Sequence, residues 1–180
     1  MCTHLHADHV GWNTRLIDGR WVPTFPHARY LFSRREYEHW DPHGDNADAY
    51  GQANVFQDSV LPCMEAGLVT FVEEGHGVDD QLTIEGAQGH TIANTIIRAS
   101  SGGMTGLFTG DCMHSPLQIA YPHINSMACE LPEQARATRL RILEEAADGG
   151  HLLLPAHFPP PHVCRIRRSG EAFQYLPYQW

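Results

Sequence analysis

The 180-residue sequence contains no lysine, so all 12 of its basic side chains are arginines. Its 21 acidic residues outnumber them and give a formal net charge of −9 at pH 7. A protein that binds the phosphate backbone needs clustered cations. The acidic balance therefore argues against a nucleic-acid partner and against nucleic-acid cleavage.

Long hydrophobic runs are also missing, since the longest ones, such as residues 151–156, are far too short to span a bilayer. We therefore expect no membrane partner. The hydrophobic content of 42% and the charged content of 18% are typical of a globular protein. A chain of this length fits one domain, predicted to extend over residues 1–180.

The sequence has no Cys-x-x-Cys pair, and its cysteines are odd in number and widely spread: Cys2, Cys63, Cys112, Cys129 and Cys164. This pattern favours free thiols in a reducing compartment, so we expect a cytoplasmic protein. Cys112 directly follows a candidate ligand, Asp111. We nevertheless interpret it as a small, buried apolar residue.

The first nine residues are dense in side chains that bind metals, because they include the run His4-Leu5-His6-Ala7-Asp8-His9. On an extended or loop backbone, His4 and His6 point the same way, since side chains repeat every two residues. Asp8 and His9 then follow a turn and can aim at a neighbouring point. Imidazole and carboxylate ligands suit zinc and similar metals. The spacing suggests two metals side by side.

Three later segments end in further candidate ligands where an apolar strand is predicted to end: Gly89-His90-Thr91, Leu107–Asp111 and Leu152–His157. Together with the N-terminal run, they resemble the signature of the metallo-β-lactamase superfamily, from Thr3 to about His162. The resemblance implies an α/β (α+β) fold in which two sheets are sandwiched between helices, the αββα arrangement.

The resemblance also implies a first-metal set, a second-metal set and a bridging ligand: His4, His6 and His90; Asp8, His9 and His157; and Asp111. The implied cofactors are two divalent ions, foremost Zn²⁺, with manganese, iron and cobalt also compatible. Two cations about 3.5–4 Å apart share a water and lower its pKa, so that hydroxide is available near pH 7. Asp8 can accept a proton from this water or pass one to the leaving group.

His114 lies three residues after Asp111, where related lactone-cleaving enzymes keep a tyrosine that touches the substrate oxygen. A neutral imidazole N–H at this position could donate to a developing oxyanion. We therefore predict catalytic functions for Asp8, Asp111 and His114. The alternative for His114 is an ordinary surface histidine on a loop.

The implied function is a dinuclear hydrolase that cleaves a small-molecule ester, lactone or phosphotriester, because residues 156–163 are similar to the lactonase and methyl-parathion-hydrolase branch. A homodimer is compatible with this interpretation.

A glyoxalase II-like thioester hydrolase or a β-lactamase on the same scaffold remains an alternative, although neither a cationic patch nor a carboxylate clamp stands out. A mononuclear iron dioxygenase would leave Asp8, His9 and His157 without a function. Ser115 lacks the Gly-x-Ser-x-Gly elbow of a serine hydrolase.

The first ligand follows the initial Met1 by only three residues, whereas in the family a block of N-terminal strands comes first. We therefore expect an incomplete domain that lacks its N-terminal strands, and a non-catalytic fragment is a further alternative. Several hundred Å² of unburied apolar surface, at about 25 cal/mol per Å², would equal a domain's ordinary stability of about 5–15 kcal/mol. The chain alone is then expected to be insoluble or molten.

Local patterns predict a loop over 10–26, a strand over 28–32 and a helix through Trp40 that opens with a capping box at Ser33–Glu36. A turn-rich stretch over 41–51 and a helical stretch over 52–66 with a break at Pro62 follow. Glu133–Ala147 is a predicted helix whose buried face holds Leu140, Leu143 and Ala147. Predicted strands cover 69–72, 82–85, 94–99, 104–109, 151–154, 163–168 and 172–176. Aromatic residues after the first motif either wall an apolar acyl or aryl site or close a small core: Trp12, Trp21, Phe25 and Trp40.

Overall fold

The computed structural model describes residues 1–44 and 52–179. The chain forms two compact units, Met1–Glu73 and Glu74–Trp180. Helices and sheets occur in both units, which confirms the predicted α/β class. The turn-rich stretch over 41–51 lies mostly outside the described residues, and the extent of the domain stays a prediction. Within the described part, no helix is both long enough and apolar enough to cross a membrane.

The described residues of the first unit form two small sheets and four short α-helices, together with a 3₁₀-turn and a π-helix. Strands β1 (Thr14–Ile17) and β2 (Arg20–Pro23) form an antiparallel hairpin, and β3 (Tyr30–Ser33) pairs in parallel with β4 (Val69–Val72). The helices are α1 (Ala7–Val10), α2 (Arg34–Trp40), α3 (Gln52–Val55) and α4 (Leu61–Glu65). Apolar side chains of this unit form a buried cluster: Leu5, Val10, Tyr30, Phe32, Trp40, Phe56, Val60 and Cys63.

The prediction of a loop over residues 10–26 was wrong, because this segment contains the β1–β2 hairpin. A two-residue turn joins the strands, with Asp18 at φ 49° and Gly19 at φ 76° between the paired Ile17 and Arg20. Asp-Gly is a favoured sequence for such a turn, since both positions require a positive φ. The apolar residues beside it are largely exposed, so the segment lacks the alternation of a half-buried strand.

The predicted helical stretch with a break at Pro62 is confirmed. A five-residue π-helix, Phe56–Val60, separates α3 from α4, and the Leu61 N–H donates to the Phe56 carbonyl. Pro62 has no N–H with which to continue the α-helical ladder. The carbonyl of Asp58, four residues earlier, instead accepts a hydrogen bond from the Thr14 hydroxyl at 2.7 Å. This hydrogen bond connects the helical segment to the β1–β2 hairpin.

The second unit is built on a six-stranded sheet of order β10-β9-β8-β7-β6-β5. Its strands are β5 (Leu82–Gly86), β6 (Thr95–Ser101), β7 (Met104–Gly110), β8 (Leu152–Pro155), β9 (Cys164–Ser169) and β10 (Ala172–Pro177). All neighbours are antiparallel except β7 and β8, which are parallel. The unit also contains α5 (Leu117–Ala120) and α6 (Pro132–Gly149). The predicted strands and the β6–β7 hairpin are confirmed within one or two residues.

Helix α6 covers the core of this unit. Pro132 lies in its first turn, and Gly150 ends it in the left-handed conformation at φ 64°. Its buried face consists of Ala135, Arg139, Ile142, Leu143 and Ala146. The prediction that Leu140 belongs to this face was wrong, since Leu140 is 42% exposed. The buried face of α6 therefore includes a charged residue, Arg139, in place of the predicted Leu140.

Candidate metal centre

In the first unit, three histidine rings of the N-terminal motif lie together. The ring centroid of His4 is 4.7 Å from that of His6 and 4.1 Å from that of His9. His4 is almost fully buried, at 1% exposure. Because α1 begins at Ala7, the chain turns after His6, and Oδ2 of Asp8 lies 3.4 Å from Nε2 of His9. The predicted change of direction between the two ligand pairs is confirmed.

Buried polar side chains fix the backbone between His4 and His6. The Leu5 N–H donates to Oε2 of Glu36 at 3.2 Å, and the Leu5 carbonyl accepts from Nε2 of Gln52 at 2.9 Å. Both backbone groups of the residue between the two ligands are therefore held by side chains. The Leu5 side chain is itself buried in the apolar cluster of this unit.

The sequence assigned Glu36 to a capping box at the start of α2. The Glu36 N–H does donate to the Ser33 hydroxyl, at 3.5 Å, as a capping box requires. The Glu36 carboxylate, however, is fully buried and also accepts from the indole Nε1 of Trp40 at 3.0 Å. Its function as an acceptor for the ligand loop was not predicted.

In the second unit, Asp111 is surrounded by imidazoles. Its Oδ2 lies 3.3 Å from Nε2 of His90 and 3.1 Å from Nε2 of His114. Nε2 of His157 lies 3.2 Å from both carboxylate oxygens. The rings of His114 and His157 are stacked, with centroids 5.3 Å apart and planes 7° apart. Asp111 and His90 are buried, at 4% and 2% exposure, whereas the side chains of His114 and His157 are 24% and 36% exposed. The carboxylate and the three nitrogens therefore form a compact ligand cluster that is open on the side of His114 and His157.

The parallel pairing of β7 and β8 places Asp111 and His157 at the same edge of the sheet. Gly110 pairs with Pro155, and each ligand follows within two residues of its strand end. A register shift between Phe108 and Gly110 precedes this last pair, and Gly110 has φ 49°. Such irregularities commonly redirect a side chain next to a functional site.

His90 is placed by a close approach of its loop to α6. A Cβ on the preceding Gly89, at φ +135°, would lie 2.3 Å from the backbone N and Cα of Ala135. The Gly89 carbonyl accepts from the Leu131 N–H at 3.0 Å, and the His90 carbonyl accepts from the Glu130 N–H at 2.9 Å. Only glycine fits this position, because any side chain would overlap the helix backbone.

Two cysteines lie near this cluster, in different ways. Sγ of Cys129 is 3.9 Å from Nδ1 of His90, and burial raises the pKa of the Cys129 thiol. Cys112 packs in the apolar core and lies 3.4 Å from Nδ2 of Asn94. Burial raises the pKa of Cys112 to about 12, so this thiol stays protonated at neutral pH. Its position agrees with the interpretation as a small buried residue.

A backbone hydrogen bond fixes the position of His114. Its N–H donates to Oε1 of Gln118 at 2.6 Å, and its side chain is 24% exposed. Among the described residues, its buried Nδ1 has no hydrogen-bond partner. His114 was predicted from the sequence as a functional residue, whereas the contacts of Gln118, Cys129 and Glu36 with the candidate ligands and their loops were not.

The aromatic residues after the first motif divide into two groups. Trp40 is fully buried and belongs to the apolar cluster of the first unit. Trp12 is 81% exposed, Phe25 is 53% exposed and Trp21 is 39% exposed. Trp40 therefore closes a core, whereas the other three are available at the surface.

The donor atoms in each unit fit divalent transition metals. Imidazole nitrogens and carboxylate oxygens are ligands of zinc and its borderline neighbours. His90, Asp111 and His114 bring one ligand atom each within 4.8 Å of one another, a spacing that can hold an ion. A second group of three imidazoles lies in the first unit.

The model of the metallo-beta-lactamase superfamily matches residues 1–157. The chain belongs to this superfamily. No curated protein matches it. Its mixed sheets and helices agree with the fold of the family, so the predicted fold and family are confirmed.

Solved structures of other proteins share this fold. The hydrolase AbOPH is 24% identical with a TM-score of 0.88, and the match covers 99% of this chain and 63% of that one. AidC, a dizinc quorum-quenching lactonase, is 21% identical with a TM-score of 0.77 and the same coverage. An N-acyl homoserine lactone hydrolase is 19% identical with a TM-score of 0.62, over 87% of this chain and 54% of that one. The chain thus spans less than two thirds of the length of these structures.

Proposed function

We propose that this chain carries the metal centre of a dinuclear hydrolase that cleaves a small-molecule ester, lactone or phosphotriester. The observation that supports the proposal most strongly is the convergence of His90, His114 and His157 on the buried carboxylate of Asp111. Family membership and the intact order of the ligands along the chain add to it.

In this proposal the ligands divide as the family pattern implies: His4, His6 and His90 for one ion; Asp8, His9 and His157 for the other; and Asp111 for both. Zn²⁺ is the first candidate for both sites, and manganese, iron and cobalt have compatible ligand preferences. Two such cations would acidify a shared water and polarise the carbonyl or phosphoryl oxygen of the substrate.

In this proposal, protein side chains transfer the proton and stabilise the negative charge that develops on the substrate oxygen. Water adds to the electrophilic carbon or phosphorus, the bond to the leaving oxygen breaks, and one proton of the water must reach that oxygen. Asp8 is half exposed and can accept this proton and return it. His114 is close enough to Asp111 to present an N–H to the oxygen that becomes negative.

The proposed substrate class is a neutral or weakly anionic small molecule. The net charge of −9 disfavours polyanions, and the exposed Trp12, Trp21 and Phe25 could contact an apolar acyl or aryl group. Two structures with the same fold are lactonases, and a third is a hydrolase of the same superfamily. Lactones are therefore the first substrates to test.

The experiment is a hydrolysis assay with one acyl lactone, one aryl ester and one phosphotriester. The protein is stripped with a chelator, reloaded with Zn²⁺, Mn²⁺ or Co²⁺, and compared with Asp111→Asn treated identically. We expect metal-dependent turnover of at least one substrate by the wild type alone. Equal turnover by the stripped, reloaded and variant proteins would refute the proposal.

A further inference from the structure

Arg139 is a fully buried arginine on the core face of α6. Its Nε donates to the Cys112 carbonyl at 2.8 Å, and its Nη1 donates to the carbonyls of Pro122 and Ile124 at 2.6 and 3.0 Å. Both Nη atoms also lie 3.2 Å from Oδ1 of Asn125. All of these acceptors are neutral oxygens on the segment that follows Asp111.

A buried cation that has only neutral acceptors is energetically unfavourable on a helix face that is otherwise apolar. The removal of an ion from water is unfavourable, and burial lowers the pKa of Arg139. The neighbouring buried residues on this face are small or aliphatic, as in Ala135, Ile142 and Leu143. The position of the arginine is therefore explained by the carbonyls that it holds.

Gln118 extends these contacts to His114. Its Oε1 accepts from the His114 N–H at 2.6 Å, and its Nε2 donates to the Ile124 carbonyl at 2.9 Å. The same Ile124 carbonyl accepts from Arg139. Gln118 is 4% exposed, so water does not compete strongly for these hydrogen bonds. Arg139 and Gln118 thus hold the backbone on the C-terminal side of Asp111, at Cys112 and at His114.

We propose that Arg139, acting with Gln118, is a positioning residue that sets the orientation of the Asp111 carboxylate and the His114 imidazole. The proposal rests on the proposed function, because it assumes that Asp111 ligates metal. The Cys112 carbonyl belongs to the second peptide after the Asp111 Cα, so a shift of this anchored segment reaches the carboxylate through only one intervening peptide. A misplacement of about 1 Å at a reacting group can cost about 10²-fold in rate.

The test uses Arg139→Lys, which keeps the charge but loses the planar fork of donors. The probe is Co²⁺, whose visible absorption reports the ligand geometry, titrated well below the melting temperature of each protein. We expect the Co²⁺ dissociation constant to rise at least about 10-fold, with an altered spectrum at saturation and an intact far-UV circular dichroism spectrum. The matched control is Arg136→Lys on the same helix, where Arg136 is partly exposed and pairs with Glu133.

An Arg139→Lys protein with a lower melting temperature but wild-type affinity and spectrum would overturn the proposal, because the arginine would then be only structural. If Arg139→Lys does not melt cooperatively, the Co²⁺ affinity and the visible spectrum of Gln118→Met test the proposal in its place. A wild-type protein that binds no Co²⁺ would overturn both this proposal and the proposed function. Wild-type binding that both variants reproduce would overturn this proposal alone.

Discussion

Nε2 of His114 lies 3.1 Å from Oδ2 of Asp111, which places the His114 ring beside the candidate bridging ligand. The stacked ring of His157 and the buried His90 approach the same carboxylate. His114 is thus not an isolated surface histidine. Its position is compatible with two chemical functions, hydrogen-bond donation to an oxyanion and metal ligation.

Replacement of His114 by alanine should separate these functions. If His114 donates to an oxyanion, His114→Ala lowers kcat by about 10²-fold while the metal content stays unchanged. Steady-state kinetics and elemental analysis of the same preparation measure both quantities. His123→Ala, an exposed histidine of the same segment, is the control. Unchanged kinetics, or loss of an ion together with activity, would contradict the assignment as a donor.

The bridging assignment predicts that Asp111→Asn loses metal and activity together. The amide removes the negative charge toward which three imidazoles converge, so both ions lose a shared ligand. Elemental analysis and turnover should fall in parallel. Alanine variants of His27, His39 and His43, which lie outside the ligand pattern, should keep the wild-type metal content. An Asn variant with two ions and normal turnover would show that Asp111 does not bridge.

The close approach of the His90 loop to α6 predicts a large effect of Gly89→Ala. The added methyl would overlap the backbone of Ala135 at a residue with φ +135°. We expect the free energy of unfolding to fall by about 2 kcal/mol or more, from overpacking and backbone strain together. Urea denaturation measures the change. Gly77→Ala, where the methyl meets open space at an ordinary φ, is the control, and an equal effect in both variants would contradict this account.

The support of the N-terminal ligand loop predicts that Glu36→Ala destabilises the protein. The Leu5 N–H and the Trp40 indole N–H would lose a buried acceptor. Each of these two unsatisfied donors costs about 1–3 kcal/mol, so we expect a total loss of about 2–6 kcal/mol. Glu38→Ala, an exposed glutamate on the same helix, should change the stability by less than about 0.5 kcal/mol. A Glu36 variant as stable as this control would argue against the proposed support.

Local signals explain which parts of this structure could be predicted from the sequence. The ligand run at His4–His9 and the ends of β7 and β8 are contiguous patterns of type and spacing, and the structure confirms the strands β7 and β8. Helix α6 begins at Pro132 and is followed by Gly150, so its ends were predicted within two residues. The β1–β2 hairpin was missed although Asp18-Gly19 is a local signal, because its strands expose most of their apolar side chains.

The supports made by Glu36 and Arg139 could not be predicted in this way, because each joins residues that are distant in the sequence. Glu36 contacts a backbone group 31 residues away, and Arg139 contacts Cys112 across 27 residues. Arg139 did carry one signal, a charged residue among Ala135, Ile142 and Leu143 on one helix face. That signal indicates a buried polar function but not its acceptors, which depend on the tertiary fold.

The central claim is that the seven candidate ligands hold two metal ions. The most direct measurement is elemental analysis of purified protein after supplementation with zinc and removal of loosely bound metal. The account predicts close to two transition-metal ions per chain. One ion or none per chain in folded, supplemented protein would contradict it.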